Sequence, residues 1–418
     1  MCNNFKTLKN KEIIKKQEKM ALITNEDLYT EASIINHVKA LAYDRSAASI
    51  GETRAINYIQ NELMVNNINS KVEYFSWSTP IRYLMKTIYL MIFTYLLIFR
   101  LFLIIALFYF VKYMFKRTRK ISFVNRDQSK NLFAKMPSKK KVPNQPIIIF
   151  SAHYDSISSR IPYIMQKILM IIIKIIILPY LALSIFISLW LILNIILITS
   201  INTFLLFLIS VCSLTTVSVI IPIFLFIFTS SKSTGSIDNA SGVSILIELA
   251  KNVKENPLTN YDVLFLWCGA EEWGLKGSKK FVAKNTKKYN KIYDLSKSIN
   301  INIDMVGSYI GLLNKSGLLF KKAINKNLNQ LIRASAEELN IPITLYNKKI
   351  KPKSDYISFN KFSKKKNKSF QTALFHSDRD SIFIHSKKDT PEKCSNILMD
   401  DCLKVCYNTI KHLDKQIN

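Results

Sequence analysis

Residues 146–156 read Pro146-Ile147-Ile148-Ile149-Phe150-Ser151-Ala152-His153-Tyr154-Asp155-Ser156, and this stretch decides the fold. A short apolar run after a proline reads as a buried strand. His153 then stands at the C-terminal end of that strand, where open α/β sheets place their chemistry. Working outward, Asp238-Asn239-Ala240-Ser241-Gly242 leads into Val243, Leu246, Ala250 and Val253, whose spacing suits one helix face, so Asp238 falls in the loop before a helix. A second strand, Val263–Trp267, ends in the turn that carries Glu271 and Glu272. A third, Ile299–Ile303, delivers Asp304, and Ser381-Ile382-Phe383-Ile384 predicts one more strand with His385 directly after it. The predicted fold is α/β, a mixed and mainly parallel sheet with helices on both faces.

The side chains gathered at these strand ends are two imidazoles, His153 and His385, and three carboxylates, Asp238, Glu272 and Asp304, with Glu271 left over. Zinc accepts nitrogen and oxygen donors of this kind, and three carboxylates for two histidines fit two cations sharing a bridge better than one closed structural site. Adjacent carboxylates in an irregular turn point in different directions, so one can bind metal while the other faces water. Taken singly, each residue has a plainer explanation: a lone buried histidine is more often a satisfied core residue, and a Glu-Glu pair an ordinary solvated turn. The chain has five histidines, and the two that are needed fall inside motifs in consistent order. His376, in Phe375-His376-Ser377-Asp378, reads as a surface-loop residue.

At these motifs the chain resembles the co-catalytic dizinc aminopeptidases and related carboxypeptidases. The resemblance implies that His153 and Asp304 bind one zinc, Glu272 and His385 the other, that Asp238 bridges both, that Glu271 is the general base and that Asp155 orients His153. Gly274-Leu275-Lys276-Gly277-Ser278 and His385-Ser386-Lys387-Lys388-Asp389-Thr390 look like the same family. So does Ser354-Asp355-Tyr356-Ile357-Ser358-Phe359, except that Tyr356 stands where histidine is usual, which bears on substrate contacts and leaves the metals untouched. The similarity covers roughly residues 30–80, 120–158 and 233–412. It implies two Zn2+ about 3.5 to 4 Å apart that polarise the scissile carbonyl and acidify a water for Glu271 to deprotonate. The expected activity is an aminopeptidase acting on short peptides. The alternatives are a non-catalytic membrane receptor or scaffold of the same fold, and a one-zinc glutaminyl cyclase-like enzyme.

Composition supplies the setting. Of the 418 residues 49% are hydrophobic, high for a soluble enzyme. No charged residue occurs from Ile175 to Ser231, length enough for two spans of about 20 residues. Thr199-Ser200-Ile201-Asn202-Thr203 is the polar break, so the segment predicts a helical hairpin. His153 and Asp238 must meet at one metal, which requires an even number of crossings between them. Arg160, Lys167 and Lys174 before the pair and Lys232 after it place both ends in the cytoplasm by the positive-inside rule. Residues 161–174 read as an interfacial lead-in. A second apolar stretch, Thr87 to Val111, is interrupted by Arg100 and reads as a re-entrant or tight hairpin, because Lys71–Phe75 before it reads as a strand of the catalytic sheet.

The expected organisation is therefore a catalytic domain in three pieces, 1–80, 118–160 and 233–418, with membrane insertions at 81–117 and 161–232. The expected protein is multi-pass, with its catalytic domain in the cytoplasm. The first twenty residues are polar and lysine-rich, without the apolar core of a signal peptide. The six cysteines lack zinc-type spacing and are expected reduced. The formal charge of +30 is dispersed, and its densest run, Lys364-Lys365-Lys366-Asn367-Lys368, has no interleaved aromatics. That favours attraction to an anionic bilayer over nucleic acid.

Overall fold

Three runs whose every residue is buried form the centre of the sheet: β3 (Ile147–His153) and β4 (Asp262–Cys268), largely apolar on both faces, and β5 (Ile299–Ile303), where Asn300 and Asn302 alternate with isoleucine. Strands covered on both sides carry such near-continuous runs. The computed structural model describes residues 34–76, 128–159, 233–317, 320–363 and 369–416, with residues 165, 168 and 171. Around the central runs stand β1 (Ser70–Ser76), β2 (Gln128–Met136), β6 (Gly311–Ser316), β7 (Lys322–Ala323), β8 (Thr344–Lys348) and β9 (Gln371–Phe375). The order is β1-β2-β4-β3-β5-β9-β6-β7, with β8 beside β6. β4, β3, β5 and β9 run parallel, whereas β2 pairs antiparallel with β4 and β6 antiparallel with β9. The sheet is thus mixed around a parallel centre.

The helices are α1 (Ile50–Val65), α2 (Ser241–Glu255), α3 (Lys276–Ile292), α4 (Leu328–Glu338), α5 (Tyr356–Ser363) and α6 (Asn396–Lys415). Alternation along the strands sends Ile147, Ile149, Leu264 and Leu266 into one core with Phe281, Val282 and Tyr289 of α3 and Phe359 and Phe362 of α5. Phe150 and Phe265 project to the opposite face and stack at 5.5 Å, and there Trp267 directs its indole N–H at the Val243 carbonyl of α2. Helices therefore cover both faces. At the start of α1, Ser49 Oγ accepts from Glu52 N and Glu52 Oε2 accepts from Ala48 N, a reciprocal cap.

Two compact units divide the chain. The first joins residues through Glu73, Lys130–Ser156 and Ser233 onward, and contains β3 to β9 and the helices α1 to α6. The second takes Tyr74–Ser129 and Ile157–Lys232. In it Met165, Ile168 and Ile171 are helical, three residues apart, and each is about half exposed. The apolar stretches 87–111 and 175–231, with the hairpins expected there, lie outside the described residues. Among the described residues no helix is long and apolar enough to cross a membrane.

One expected element is replaced. Ser381–Ile384 is not a strand: a 3-10 turn spans Asp378–Ile382, and Ile382 is exposed. Asp380 accepts from both the amide and the hydroxyl of Ser308, at 2.8 and 2.7 Å, which commits the segment to a local turn. The strand that feeds this region is β9, and His385 follows the turn at φ 57°.

Candidate metal centre

The parallel register brings the C-terminal ends of β3, β4, β5 and β9 side by side, with His153 opposite Cys268 and Ile303 opposite Phe375. His153 is the last residue of β3, Glu271 and Glu272 lie in the turn after β4, and Asp304 directly follows β5. Asp238 sits in a kinked turn, Ser236–Ala240, where it and Asn239 leave helical geometry just before α2. The Asp238–Asn239 peptide bond is cis.

Two clusters result, and they share Asp238. His153 Nε2 lies 3.0 Å from Asp238 Oδ1 and 3.4 Å from Asp304 Oδ1. His385 Nε2 lies 3.3 Å from Asp238 Oδ2 and 3.1 Å from Glu272 Oε1. In each cluster the three candidate donor atoms lie within 4.8 Å of one another, and the side chains are almost entirely buried. Glu271 and Asp355 are buried nearby. Burying this many carboxylates around two imidazoles is unfavourable unless cations neutralise them. The donor set, one nitrogen and two oxygens per cluster, fits zinc.

The protonation tendencies follow from that crowding. Burial pulls the His153 imidazole down, but the nearby carboxylates of Asp155, Asp238 and Asp304 outweigh it and hold it well above its ordinary value. Burial likewise opposes, and Glu272 and Asp238 override, at His385, which is pushed up to about 10. Asp238 goes the other way: burial would raise it, yet the two histidines hold it far below the carboxylate range. Burial raises Glu271 well above that range, with Asp355, Glu272 and Asp304 adding to the effect against His153.

The surrounding shell explains how the ends are held. Asp155 reaches His153 mainly through its backbone, its carbonyl lying 3.0 Å from Nδ1 while the nearer carboxylate oxygen is 3.7 Å away. That carboxylate accepts instead from the Glu271 and Glu272 amides, at 2.9 and 3.2 Å, and so orients the glutamate turn. Asn239 donates to Ile303 O and accepts from Gly242 N and Met305 N, pinning the Asp238 turn to the end of β5. Asp389 accepts from Ile237 N at 2.6 Å. Neither role was read from the sequence, although both residues lie inside motifs quoted for the family resemblance. His376 is not a surface residue: it is half-buried at the end of β9, with Nδ1 2.8 Å from Asp304 O. Tyr356 is fully buried between Leu313 and Leu374, its hydroxyl donating to Pro352 O, and so packs in the core rather than lining a pocket.

Known proteins resemble this chain over part of its sequence and in its fold. The model of peptidase family M28 matches residues 218–410. Aminopeptidase YwaD of Bacillus subtilis (strain 168) is 39% identical over 77 residues, which is 18% of this chain and only 16% of that relative's length. A zinc aminopeptidase from Bacillus subtilis superposes with a TM-score of 0.52 at 14% identity, covering 91% of this chain and 94% of that one. A glutaminyl cyclase from Fimbriiglobus ruber does so at 0.55 and 13%, covering 91% and 94%. The resemblance carried by the motifs therefore holds: over residues 218–410, which contain Asp238, Glu271, Glu272, Asp304 and His385, the chain matches peptidase family M28 and shares the fold of a zinc aminopeptidase.

Proposed function

We propose that the protein is a membrane-anchored, zinc-dependent exopeptidase that removes N-terminal residues from peptides. The observation that carries this reading is the pair of clusters joined through the two oxygens of Asp238, each oxygen facing a different histidine. His153, Asp304 and one oxygen of Asp238 would hold one zinc, and His385, Glu272 and the other oxygen the second. Bound there, the ions would supply Lewis acidity toward a peptide carbonyl and a water that ionises near neutral pH.

The chain's own residues do the rest. Glu271, buried and with a pKa raised by its surroundings, takes a proton from the attacking water and returns it to the leaving amine. Asp155 fixes the direction of both glutamates through their amides. His153 is oriented through its Nδ1 contact with the Asp155 carbonyl, leaving Nε2 directed at the carboxylates.

Zinc content and substrate screening test this together. The expectation is close to two zinc ions per chain, activity on free aminoacyl substrates that a chelator removes and zinc restores, and none on N-blocked peptides. One ion per chain with cyclisation of N-terminal glutamine would favour the cyclase chemistry whose fold is equally similar. Cleavage of blocked peptides would exclude a strict aminopeptidase, and no bound metal would leave a scaffold.

The membrane anchoring rests on the uncharged stretch 175–231, on the apolar stretch 87–111 and on the half-exposed Met165, Ile168 and Ile171 just before the longer one. The basic residues flanking 175–231 support a catalytic unit on the cytoplasmic side.

A further inference from the structure

Arg45 is fully buried, yet among the described residues its guanidinium donates to backbone carbonyls and to no carboxylate. Nε donates to Tyr154 O at 2.7 Å, one residue after His153. Nη1 donates to Thr234 O at 2.8 Å and Nη2 to Gly235 O at 2.7 Å, just before the Asp238 turn. Nη1 also donates to Leu41 O and Tyr43 O in its own segment. The backbone of Arg45 adds a second tie on the His153 side, accepting from Ser156 N at 3.4 Å and donating to Ser156 Oγ at 3.0 Å. Gly235 makes room for this arrangement: a Cβ there would lie 2.8 Å from Nη2 and 2.6 Å from Ser156 Cβ.

These contacts straddle the place where the chain leaves the first unit, after Ser156, and re-enters it, at Ser233. Residues 157–232 therefore separate the two halves of one metal cluster, and connectivity alone cannot hold His153 against Asp238. We propose that Arg45 is a positioning residue that clamps the exit and re-entry segments together, so that His153 and Asp238 present a preformed metal site. Its planar guanidinium is suited to this, because five N–H donors in a fixed fork reach three separate strands of backbone at once. Asp389 completes the clamp on the re-entry side, where its carboxylate accepts from Ile237 N and its carbonyl from Thr234 Oγ1.

The functional half of this proposal rests on the dizinc reading, and the test separates the two. Full-length Arg45→Met and Arg45→Lys proteins are compared with wild type and with Ile332→Val, which lowers stability at a buried position of α4, a helix that carries no site residue. Zinc affinity is measured by competition with a chromophoric chelator at a temperature where circular dichroism shows every protein folded. Hydrogen exchange is measured on the metal-free proteins. Arg45→Met is expected to weaken zinc binding by about 10- to 100-fold, the usual effect of losing a residue that orients ligands. Arg45→Lys should fall between it and wild type, because an ammonium keeps the charge but not the fork. Exchange should quicken at residues 154–156 and 234–238 while β4 and β5 stay protected. Wild-type zinc affinity in folded Arg45→Met would overturn the proposal, as would an exchange increase no more localised than that in Ile332→Val. If wild type binds no zinc, the dizinc reading fails and the exchange pattern still decides the clamp. If Arg45→Met does not fold, Arg45→Lys is read against the same two outcomes.

Discussion

Asp238 is the residue on which both clusters depend, since Oδ1 faces His153 and Oδ2 faces His385. If the proposed two-zinc reading holds, Asp238→Ala loses both zinc ions and His385→Ala keeps one, as measured by elemental analysis of the purified proteins. Glu271 is not among the donors of either cluster. Glu271→Gln should therefore retain zinc while activity falls roughly 100- to 10,000-fold, the range for losing a general base. Protonation at His385 sets a pH dependence. In the metal-free protein Glu272 and Asp238 push this imidazole up to about 10 against burial, so the ring is protonated at neutral pH. On the proposed assignment of His385 as a zinc ligand, binding would displace that proton, so it should release protons and tighten as pH rises from 7 toward 10, which calorimetry in buffers of different ionisation enthalpy will read. The same raised value stabilises the metal-free fold: the contribution is complete below the unfolded value of about 6.5 and is lost as pH climbs through about 10. Asp389 acts in a different window. Burial pushes it up to about 7, so its effect is destabilising as pH rises from about 4 and is complete near 7.

At the scale of elements, the site depends on turns anchored to well-packed neighbours. The turn carrying Glu271 and Glu272 runs from the end of β4 into α3, and α3 is fixed by Phe281 and Tyr289 against Phe359 and Phe362 of α5. Phe281→Ala should cost about 3 to 5 kcal/mol in urea denaturation, the range for emptying a buried aromatic site. The start of α2 is tighter. A Cβ on Gly242 would lie 2.5 Å from both Asn239 Oδ1 and Ile303 O, which are the contacts that pin Asp238 beside Asp304. Gly242→Ala is therefore expected to weaken zinc binding more than it lowers the melting temperature, and titration beside a thermal melt will compare them. β3 and β4 were legible because a short, nearly uniform apolar run suits a strand buried on both faces, and β5 because isoleucine recurs at every second residue. Gln371–Phe375 was not, since its mixed composition becomes a strand only when β5 and β6 pair with it on either side. Ser381–Ile384 misled for the converse reason: its side chains suit a strand, but Asp380 is bound to Ser308 and among the described residues no strand pairs with it.

At the scale of the whole molecule, the proposed anchoring predicts that the full chain stays with the membrane fraction through alkaline carbonate extraction and is released only by detergent. Release by carbonate alone would count against spans at 87–111 and 175–231. Labelling of a cysteine placed near residue 60 in intact cells reads the topology: protection from outside is expected if the first apolar stretch turns back. The sequence by itself determined the chemistry and the order of its parts, because imidazole and carboxylate at the ends of apolar runs narrow the choice of metal and reaction. It also showed that a long insertion divides the ligands, as charge-free length is a property of composition. Only the tertiary structure decided which oxygen of Asp238 meets which histidine, that Asp155 serves the glutamate turn more directly than His153, and that Arg45 ties the two ends of the insertion together. Those assignments depend on backbone amides and carbonyls meeting across distant segments, and every residue carries the same backbone groups whatever its side chain.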